Sequence, residues 1–574
     1  MKFDDILKSI GEFGPYQIKI YFMVCLIGIP VAMNQMGQVF YAANTDHWCA
    51  VAEWESNYDA CSDLDGDEYM GCIHQYRNAS IPPDEEEEDR LYAQCSKYDA
   101  NYTTWADGYY AGDETTRQTD CDEGWIYDKS EYTRTIKTDF DLVCDKKSAA
   151  DFSQSAFFFG VLLGSLLYGF LADFLGRVKS FYIAVVTLFV FTLSVTFMPS
   201  LWSYTVMRCL VAMSNMGCFL LAFIIGTEFV GPSKRVIAGI LIEVFFSFGY
   251  MLLAILAYFI RDWRVLNLVV AGLLCLFPFT IFFVPESPRW LISNNKCDKA
   301  EKIIYRAAKG NKKEDKLPED FMSDLKKAEE MAKSKIERTP SVIDLFRTPN
   351  LRMTTLNIMY NWFINSLVYY GLSLSTSDLG SNDFIAFFIS GAVELPAYLL
   401  CIFAIESPLG RKYSTSGFEL LGGVACLLTI FIPKGPWKTT VAMIGKFGIS
   451  ASFALIYIYS AEVLPTPVRS TGMGLCSMAA RVAGILAPLI LLLDEYWEPL
   501  PLLIFGSTCI VGGLLLLFLP ETRGRQLPET MEEGEHFKMR SKESNYDVEK
   551  EEGKVVSSIS GETNAGYDDE DRKI

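Results

Sequence analysis

Long runs of hydrophobic residues recur along the chain and are separated by short polar segments. A helix that crosses a bilayer needs about 20 predominantly apolar residues. Twelve such stretches cover residues 16–42, 150–173, 180–199, 201–226, 236–260, 263–284, 352–377, 383–405, 413–432, 437–460, 470–493 and 498–519. The pattern therefore predicts an all-α membrane protein with twelve transmembrane helices.

Three polar motifs occur twice, each time after corresponding spans. The pairs are Gly169–Arg177 with Ser407–Arg411, Glu228–Arg235 with Glu462–Arg469, and Pro285–Arg289 with Pro520–Arg523. Their offsets are 234, 234 and 235 residues. A shared offset indicates an internal duplication, and two parallel six-helix halves suit alternating access to a site near the bilayer midplane.

Charge divides the polar segments into two kinds. Residues 46–147 hold 26 acidic and 9 basic residues, whereas residues 294–350 are rich in Lys and Arg. Positive loops stay in the cytoplasm, so we predict a multi-pass protein of the plasma membrane with both termini cytoplasmic and the acidic loop outside. The predicted segments are an N-terminus (1–15), the first helix (16–42), an extracellular loop (43–149), helices 2–6 (150–285), a cytoplasmic basic loop (286–350), the C-terminal half (351–520) and a disordered tail (521–574).

The acidic loop has the cysteine content and the glycosylation motifs that are typical of an oxidising compartment. Three disulfides are expected among six cysteines, which permit 15 pairings: Cys49, Cys61, Cys72, Cys95, Cys121 and Cys144. A metal site is disfavoured because these cysteines form no C-x-x-C pair. Two sequons predict glycosylation at Asn78 and Asn101.

The duplicated motifs pair carboxylates with guanidiniums at helix ends. The predicted gating residues are Asp173, Arg177, Glu228, Arg235, Arg411, Glu462 and Arg469. Numerous weak ion pairs can hold two halves together in one state and release them in another. The alternative is that Arg and Lys only anchor helix ends in the cytoplasm. Ser407 replaces the second motif's aspartate, so equal roles for the two gates are in doubt.

Ionisable residues within membrane spans are costly and usually functional. The spans contain Arg208, Glu243, Glu394, Lys446 and Arg481. Each could instead be a structural partner within the bundle, since buried charges must be paired, and this is the favoured interpretation of Arg208. A guanidinium offers a planar fork to a carboxylate, which favours substrate or counter-anion contact for Arg481. Trp362 and Tyr369, two turns apart, could line the cavity and attract a quaternary ammonium.

Several function classes are disfavoured. The spans hold no nucleophile–base pair or metal cluster, so an enzyme is not expected. Pro232 stands where a phosphate-binding loop would have its lysine, and ATP hydrolysis therefore has no support. A basic run beside a membrane span does not indicate nucleic-acid binding. No cofactor is predicted; coupling to Na⁺ or H⁺ is left open, with Glu243 or Glu394 as proton carriers.

The motif Gly169–Arg177 resembles the signature of the major facilitator superfamily, and the rest resembles its solute carrier 22 branch. The matching stretches are Cys121–Asp128, Asp141–Asp145, Tyr258–Arg264, Pro285–Leu291, Tyr369–Leu374, Gly445–Gly448, Ala461–Thr466 and Leu519–Thr522. The resemblance implies a carrier of small organic ions in a lipid bilayer, functional as a monomer. In this family, anion and zwitterion transporters carry an arginine at the position of Arg481, and Tyr398 resembles the carnitine-type branch.

The sequence thus predicts a carrier of organic zwitterions or cations, carnitine-like in its charge arrangement. The predicted substrate-binding residues are Arg481, Glu394, Glu243, Lys446, Tyr369 and Trp362. The alternative within the class is an organic anion exchanger, which Arg481 and Lys446 favour. A membrane sensor that lost transport is the alternative from another class.

Overall fold

The computed structural model describes residues 3–55, 58, 61, 64, 66–83, 92–100, 102, 117–318, 321–334, 341–380 and 382–537. Twelve helical segments occur at the twelve predicted places. They are α1 (Pro15–Tyr41), α2 (Ala149–Leu175), α3 (Arg177–Val195), α4 (Leu201–Phe229), α5 (Arg235–Phe259), α6 (Trp263–Leu274), α7 (Pro349–Leu374), α8 (Asp383–Glu406), α9 (Gly410–Thr429), α10 (Pro436–Val463), α11 (Arg469–Leu491) and α12 (Leu500–Leu516).

Eight candidate spans in the described part of the chain are long and apolar enough to cross a membrane by themselves. Two further apolar helices are shorter, Trp263–Phe279 and Leu500–Leu516. The remaining two are α7, which carries Asn357, Asn361 and Asn365, and α9, which carries buried Glu419. Their polar side chains face protein, so the twelve-helix fold is kept although their hydropathy is low.

The duplication seen in the sequence is repeated in the packing. In the first half α4 contacts α2 and α3, α3 contacts α6, and α1 contacts α5; in the second half α10 contacts α8 and α9, α9 contacts α12, and α7 contacts α11. The halves meet through α5 with α8 and through α2 with α11. These two interfaces are also equivalent under the duplication, so they enclose the space between the halves symmetrically.

The predicted loop between α1 and α2 folds around its cysteines. The structure pairs Cys49 with Cys121, Cys61 with Cys72 and Cys95 with Cys144, which confirms three disulfides and selects one of the fifteen pairings. The all-α prediction missed four short strands here: His47–Cys49 pairs with Trp125–Tyr127, and Ser96–Tyr98 pairs with Gln118–Asp120. Three-residue strands carry too little periodicity to be read from sequence.

The first predicted glycosylation site, Asn78, is exposed near the end of the helix Gly66–Ser80. The second, Asn101, lies outside the described residues. We call the end of the bundle with this disulfide-bonded loop the loop end. The opposite end, which carries the described residues 286–318, 321–334 and 341–350, is the basic end.

Helices also cover the basic end. They are Phe3–Ile10, Pro288–Ser293, Cys297–Gly310 and Phe321–Ser334. The tail predicted to be disordered from residue 521 is ordered as far as 537, where Phe537 is buried. The prediction was wrong for residues 521–537, because a polar composition does not reveal that one of these residues caps a helix. Residues 538–574 lie outside the described residues.

That cap is Glu535, which ties the tail to the start of α7. Its carboxylate accepts hydrogen bonds from the backbone N–H of Asn350 at 3.0 Å and of Leu351 at 2.9 Å. Burial raises the pKa of the Glu535 carboxyl, but hydrogen bonds from Thr348 and these two N–H groups lower it by more, so its pKa lies below the usual value. A carboxylate at a helix N-terminus stabilises the first turn by about 0.5–2 kcal/mol.

We expect Glu535→Ala to lower the melting temperature of the purified protein by a few degrees at neutral pH. A group with a lowered folded-state pKa stabilises fully above its unfolded pKa, about 4.3 for Glu, and loses this contribution as the pH falls through the folded-state value. The difference between wild type and Glu535→Ala should therefore vanish in acid. Melting curves from pH 7 to about 3.5 check this; a difference that persists in acid would contradict an ionic cap.

Candidate functional site

A cavity of about 100 Å³ lies between the two halves. Its lining comes from α1, α2, α4 and α5 on one side and from α7, α8, α10 and α11 on the other. The lining is largely aromatic: Phe158, Phe219, Phe246, Tyr369, Tyr370, Tyr398, Phe453 and Tyr457. Concave, mostly apolar spaces with a few polar groups are typical of small-molecule sites.

Two of the predicted charges, Glu243 and Arg481, line this cavity from opposite halves. Glu243 projects from α5 and Arg481 from α11, which are equivalent helices under the duplication. Arg481 donates to the carbonyl oxygen of Ser477 at 2.7 Å and also hydrogen-bonds its hydroxyl, one helical turn earlier. Among the described residues, neither Glu243 nor Arg481 forms an ion pair, so both ionisable groups are open to a partner in the cavity.

The 234-residue offset places these charges in matching turns. Glu243 corresponds to Ser477, and Arg481 corresponds to Ser247. Each of the two residues therefore has a serine one turn away on its own helix, and Ser247 Oγ lies 3.1 Å from the carbonyl oxygen of Glu243. The matching turns therefore carry an acid in the first half and a base in the second, and we call this opposition across the cavity its charge axis.

The other two predicted charges, Glu394 and Lys446, neutralise each other behind the cavity wall. Lys446 Nζ lies 3.2 Å from Glu394 Oε1, and the side chains are 1% and 0% exposed. Ser247 donates to Glu394 Oε2 at 3.0 Å, and the Tyr398 hydroxyl donates to the same oxygen at 3.3 Å. Because Ser247 belongs to the first half, this cluster also links the halves across the α5–α8 interface.

The predicted aromatic residues on α7 have different surroundings. Tyr369 lines the cavity, and its ring centroid is 3.3 Å from Lys446 Nζ, so a protein cation already occupies one ring face. Trp362 is fully buried away from the lining, where its indole N–H donates to Ser460 Oγ at 2.8 Å and its ring packs on Tyr457. Tyr457 itself lines the cavity, so Trp362 supports the wall from behind.

At the basic end, three of the four predicted gating residues of the first half form a connected group. Arg177 Nη1 lies 3.0 Å from Asp173, and its Nε lies 3.3 Å from Glu228. Asp173 is 80% exposed, whereas Glu228 is 13% exposed. The more enclosed pair with Glu228 joins α3 to α4 and is less accessible to screening by salt.

The second half repeats this arrangement without the aspartate. Arg411 Nε lies 3.1 Å from Glu462. Arg235 and Arg469 each donate to the carbonyl oxygen five residues earlier, at Val230 and Leu464. Every ion pair described for these gating residues joins two groups of the same half. The expected pairing between the halves is therefore absent among the described residues in this conformation.

Two carboxylates were missing from the predicted gating set. Glu286 accepts from the backbone N–H of Val178 at 3.1 Å, and Glu521 accepts from the N–H of Arg411 at 3.0 Å. Each caps the helix that carries a gating arginine. Their positions in the third duplicated motif, offset by 235 residues, were the signal that could have identified them.

A group of potential metal ligands in the disulfide-bonded loop does not make a metal site. One group of potential ligands, His47, Cys95 and Cys144, has ligand atoms within 4.8 Å of one another. Cys95 and Cys144 form a disulfide, so they offer no thiolates to a metal.

Comparisons with known proteins agree with the geometry. Residues 102–533 match the family described as sugar (and other) transporter. The organic cation transporter protein of Drosophila melanogaster is 41% identical over 548 residues, 94% of this chain and 95% of that protein. Human solute carrier family 22 member 13 is 37% identical over 93% of each chain. The human organic cation/carnitine transporter 2 is 34% identical over 92% of this chain and 93% of that protein.

A solved structure of the xylose transporter XylE from E. coli in an inward-open conformation has the same fold. Its TM-score is 0.59, with 14% identity over 91% of this chain and 99% of that chain. At this identity the likeness shows the fold alone. Together with the relatives above, it shows that the chain belongs to the solute carrier 22 family of the major facilitator superfamily, a family of multi-pass membrane transporters rather than enzymes.

Proposed function

We propose that this chain transports small organic zwitterions and cations of carnitine size by alternating access. The observation that carries the proposal is the charge axis of the cavity, with Glu243 on one half and Arg481 on the other and neither in an ion pair among the described residues. A zwitterion can place its ammonium near Glu243 and its carboxylate on Arg481. Charge-assisted hydrogen bonds of this kind contribute about 1.5–3 kcal/mol each.

The structure changes the reason for preferring a zwitterion. The sequence suggested four charges around one site, but Glu394 and Lys446 neutralise each other and leave one acid and one base for the solute. A simple anion has no positive group to place near Glu243 and would be repelled by its carboxylate. A simple cation would be repelled by Arg481. The names of the relatives, organic cation transporter protein and organic cation/carnitine transporter 2, are consistent with this choice.

The test is time-dependent uptake of radiolabelled carnitine into proteoliposomes that contain the purified protein. Unlabelled carnitine should compete most strongly, tetraethylammonium more weakly, and p-aminohippurate least. Strong competition by p-aminohippurate would instead favour the organic anion exchanger, for which Arg481 is the supporting observation. Saturable binding without accumulation would identify a sensor and contradict transport.

We further propose that the carrier works as a monomer in the plasma membrane, with both termini cytoplasmic and with glycans on Asn78 and Asn101. The acidic, disulfide-bonded loop and the basic opposite end support this orientation through the positive-inside rule. Glycosidase treatment of intact cells should shift the gel mobility of the protein, and Asn78→Gln should remove part of that shift. A mobility unaffected by glycosidase would contradict glycosylation of the two sequons.

The group around Arg177 should control turnover rather than affinity, because it lies at helix ends away from the cavity. We expect Glu228→Gln to reduce the maximal uptake rate roughly tenfold with little change in the half-saturation constant. Asp173→Asn, which removes a carboxylate that is 80% exposed, should reduce the rate less. Uptake kinetics normalised to surface expression check this. A raised half-saturation constant with an unchanged maximal rate in either variant would contradict gating.

A further inference from the structure

The span 413–432 contains a charge that the sequence predictions passed over. Glu419 lies near the middle of α9 and is fully buried between α9, α7 and α12. A methyl group placed on Gly512 of α12 would stand 2.4 Å from Glu419 Oε1 and 3.0 Å from Asn361 Oδ1. The carboxylate of α9 and the amide oxygen of α7 therefore converge on one point beside the bare backbone of α12.

The polar atoms collected here are acceptors. Both carboxylate oxygens of Glu419, together with Asn361 Oδ1 and Asn365 Oδ1, are buried without a hydrogen-bond partner among the described residues. The amide nitrogens are engaged elsewhere: Asn361 Nδ2 donates to the carbonyl oxygen of Asn357 at 2.9 Å, and Asn365 Nδ2 donates to that of Asn361 at 2.9 Å. Asn361 Nδ2 also donates to Asn357 Oδ1 at 2.8 Å, so both N–H groups of Asn361 serve α7 itself, and the oxygens of the two amides are left for another ligand.

Four buried acceptor oxygens, two of them from one carboxylate, are costly without a cation. Among the described ion pairs, none involves Glu419. An ionised carboxylate in this setting must acquire a positive partner or a proton. A proton on Glu419 would serve one further acceptor and leave the others unsatisfied. A hard cation accepts several oxygen ligands at once, and one positive charge balances the one negative charge.

We propose that Glu419, Asn361 and Asn365 form a binding site for Na⁺ inside the second half of the transporter. The site is separate from the cavity, yet α7 connects them, because Ser366 follows Asn365 and lines the cavity. An occupied site holds α7 against α9 and α12 and so fixes one wall of the cavity. The effect on uptake rests on the proposed transport function, whereas the binding of Na⁺ does not.

The test of binding is the melting temperature of the purified protein in NaCl, KCl and N-methyl-D-glucamine chloride at equal ionic strength. We expect a saturable rise of about 2–4 °C in Na⁺ over N-methyl-D-glucamine, because a ligand that binds only the folded state stabilises it. Glu419→Gln should abolish this rise, since its amide carries no charge and brings its own donors. Ser416→Ala is the matched control, because this buried serine of α9 bonds the Gly513 carbonyl at 2.7 Å and should keep the Na⁺ response.

Should Glu419→Gln fail to fold, Asn361→Ala keeps the carboxylate and removes a ligand oxygen, and the Na⁺ concentration for half the rise should increase at least tenfold. Three results would overturn the site. The first is a wild-type melting temperature that Na⁺ does not change. The second is a melting temperature that rises in acid and that Na⁺ does not raise further. The third is a Na⁺ response that is retained in Glu419→Gln. Uptake measured with and without Na⁺ forms a separate arm, so a failure of transport leaves the binding result intact.

Discussion

Replacement of Arg481 by Asp should abolish carnitine uptake while tetraethylammonium uptake is kept or gained. Arg481 is the guanidinium that lines the cavity without an ion pair among the described residues. Its loss removes a charge-assisted contact of about 1.5–3 kcal/mol, and the new carboxylate repels that of the solute. Since 1.4 kcal/mol corresponds to a tenfold change, the half-saturation constant for carnitine should rise far more than tenfold.

Two companion variants separate charge from shape at this position. Arg481→Gln removes the positive charge without adding a negative one and should weaken carnitine without favouring tetraethylammonium. Arg481→Lys keeps the charge but loses the planar fork, so an intermediate affinity is expected. Melting temperatures of all three variants control for folding, because Arg481 also bonds Ser477. An unchanged half-saturation constant for carnitine in Arg481→Asp would refute the proposed contact.

The twelve helices and their duplication could be read from the sequence because both depend on local signals. Apolar runs of membrane length and motifs at a constant offset need no knowledge of long-range contacts. The same signals located Glu243 and Arg481 at membrane depth. They could not show that the two residues lie in matching turns facing one cavity, since that depends on how α5 and α11 are rotated in the bundle.

The sequence could not show which buried side chains contact each other and which face the cavity. Glu394 and Lys446 were predicted to contact substrate, but the structure joins them to each other, because α8 and α10 pack in contact. Trp362 and Tyr369 share a face of α7 at helical spacing, yet Tyr457 stands between Trp362 and the cavity. Glu419 was passed over although the rule for intramembrane charges applied to it equally.

Replacement of Lys446 by Met should destabilise the protein more than any other change considered for this bundle. The substitution leaves Glu394 fully buried with only Ser247 and Tyr398 as donors. Breaking a buried ion pair by removing one partner costs about 3–5 kcal/mol, because the other charge remains desolvated. We expect the melting temperature to fall by roughly 5–10 °C and surface expression to fall with it.

The double variant Glu394→Gln with Lys446→Met should recover most of that loss, since it leaves no buried charge behind. Lys438→Met is the matched control: it lies on the same helix and is almost as buried, but its partner Glu498 at 3.4 Å is 62% exposed. An ion pair with so exposed a partner contributes only about 0–1 kcal/mol, so this variant should melt close to wild type. Two results would show that Glu394 and Lys446 do not behave as a coupled buried pair. One is equal destabilisation by Lys446→Met and Lys438→Met, and the other is a double variant no more stable than Lys446→Met.

If the pair behaves as expected, Glu394 and Lys446 maintain the wall of the cavity, and substrate selection depends on Glu243 and Arg481.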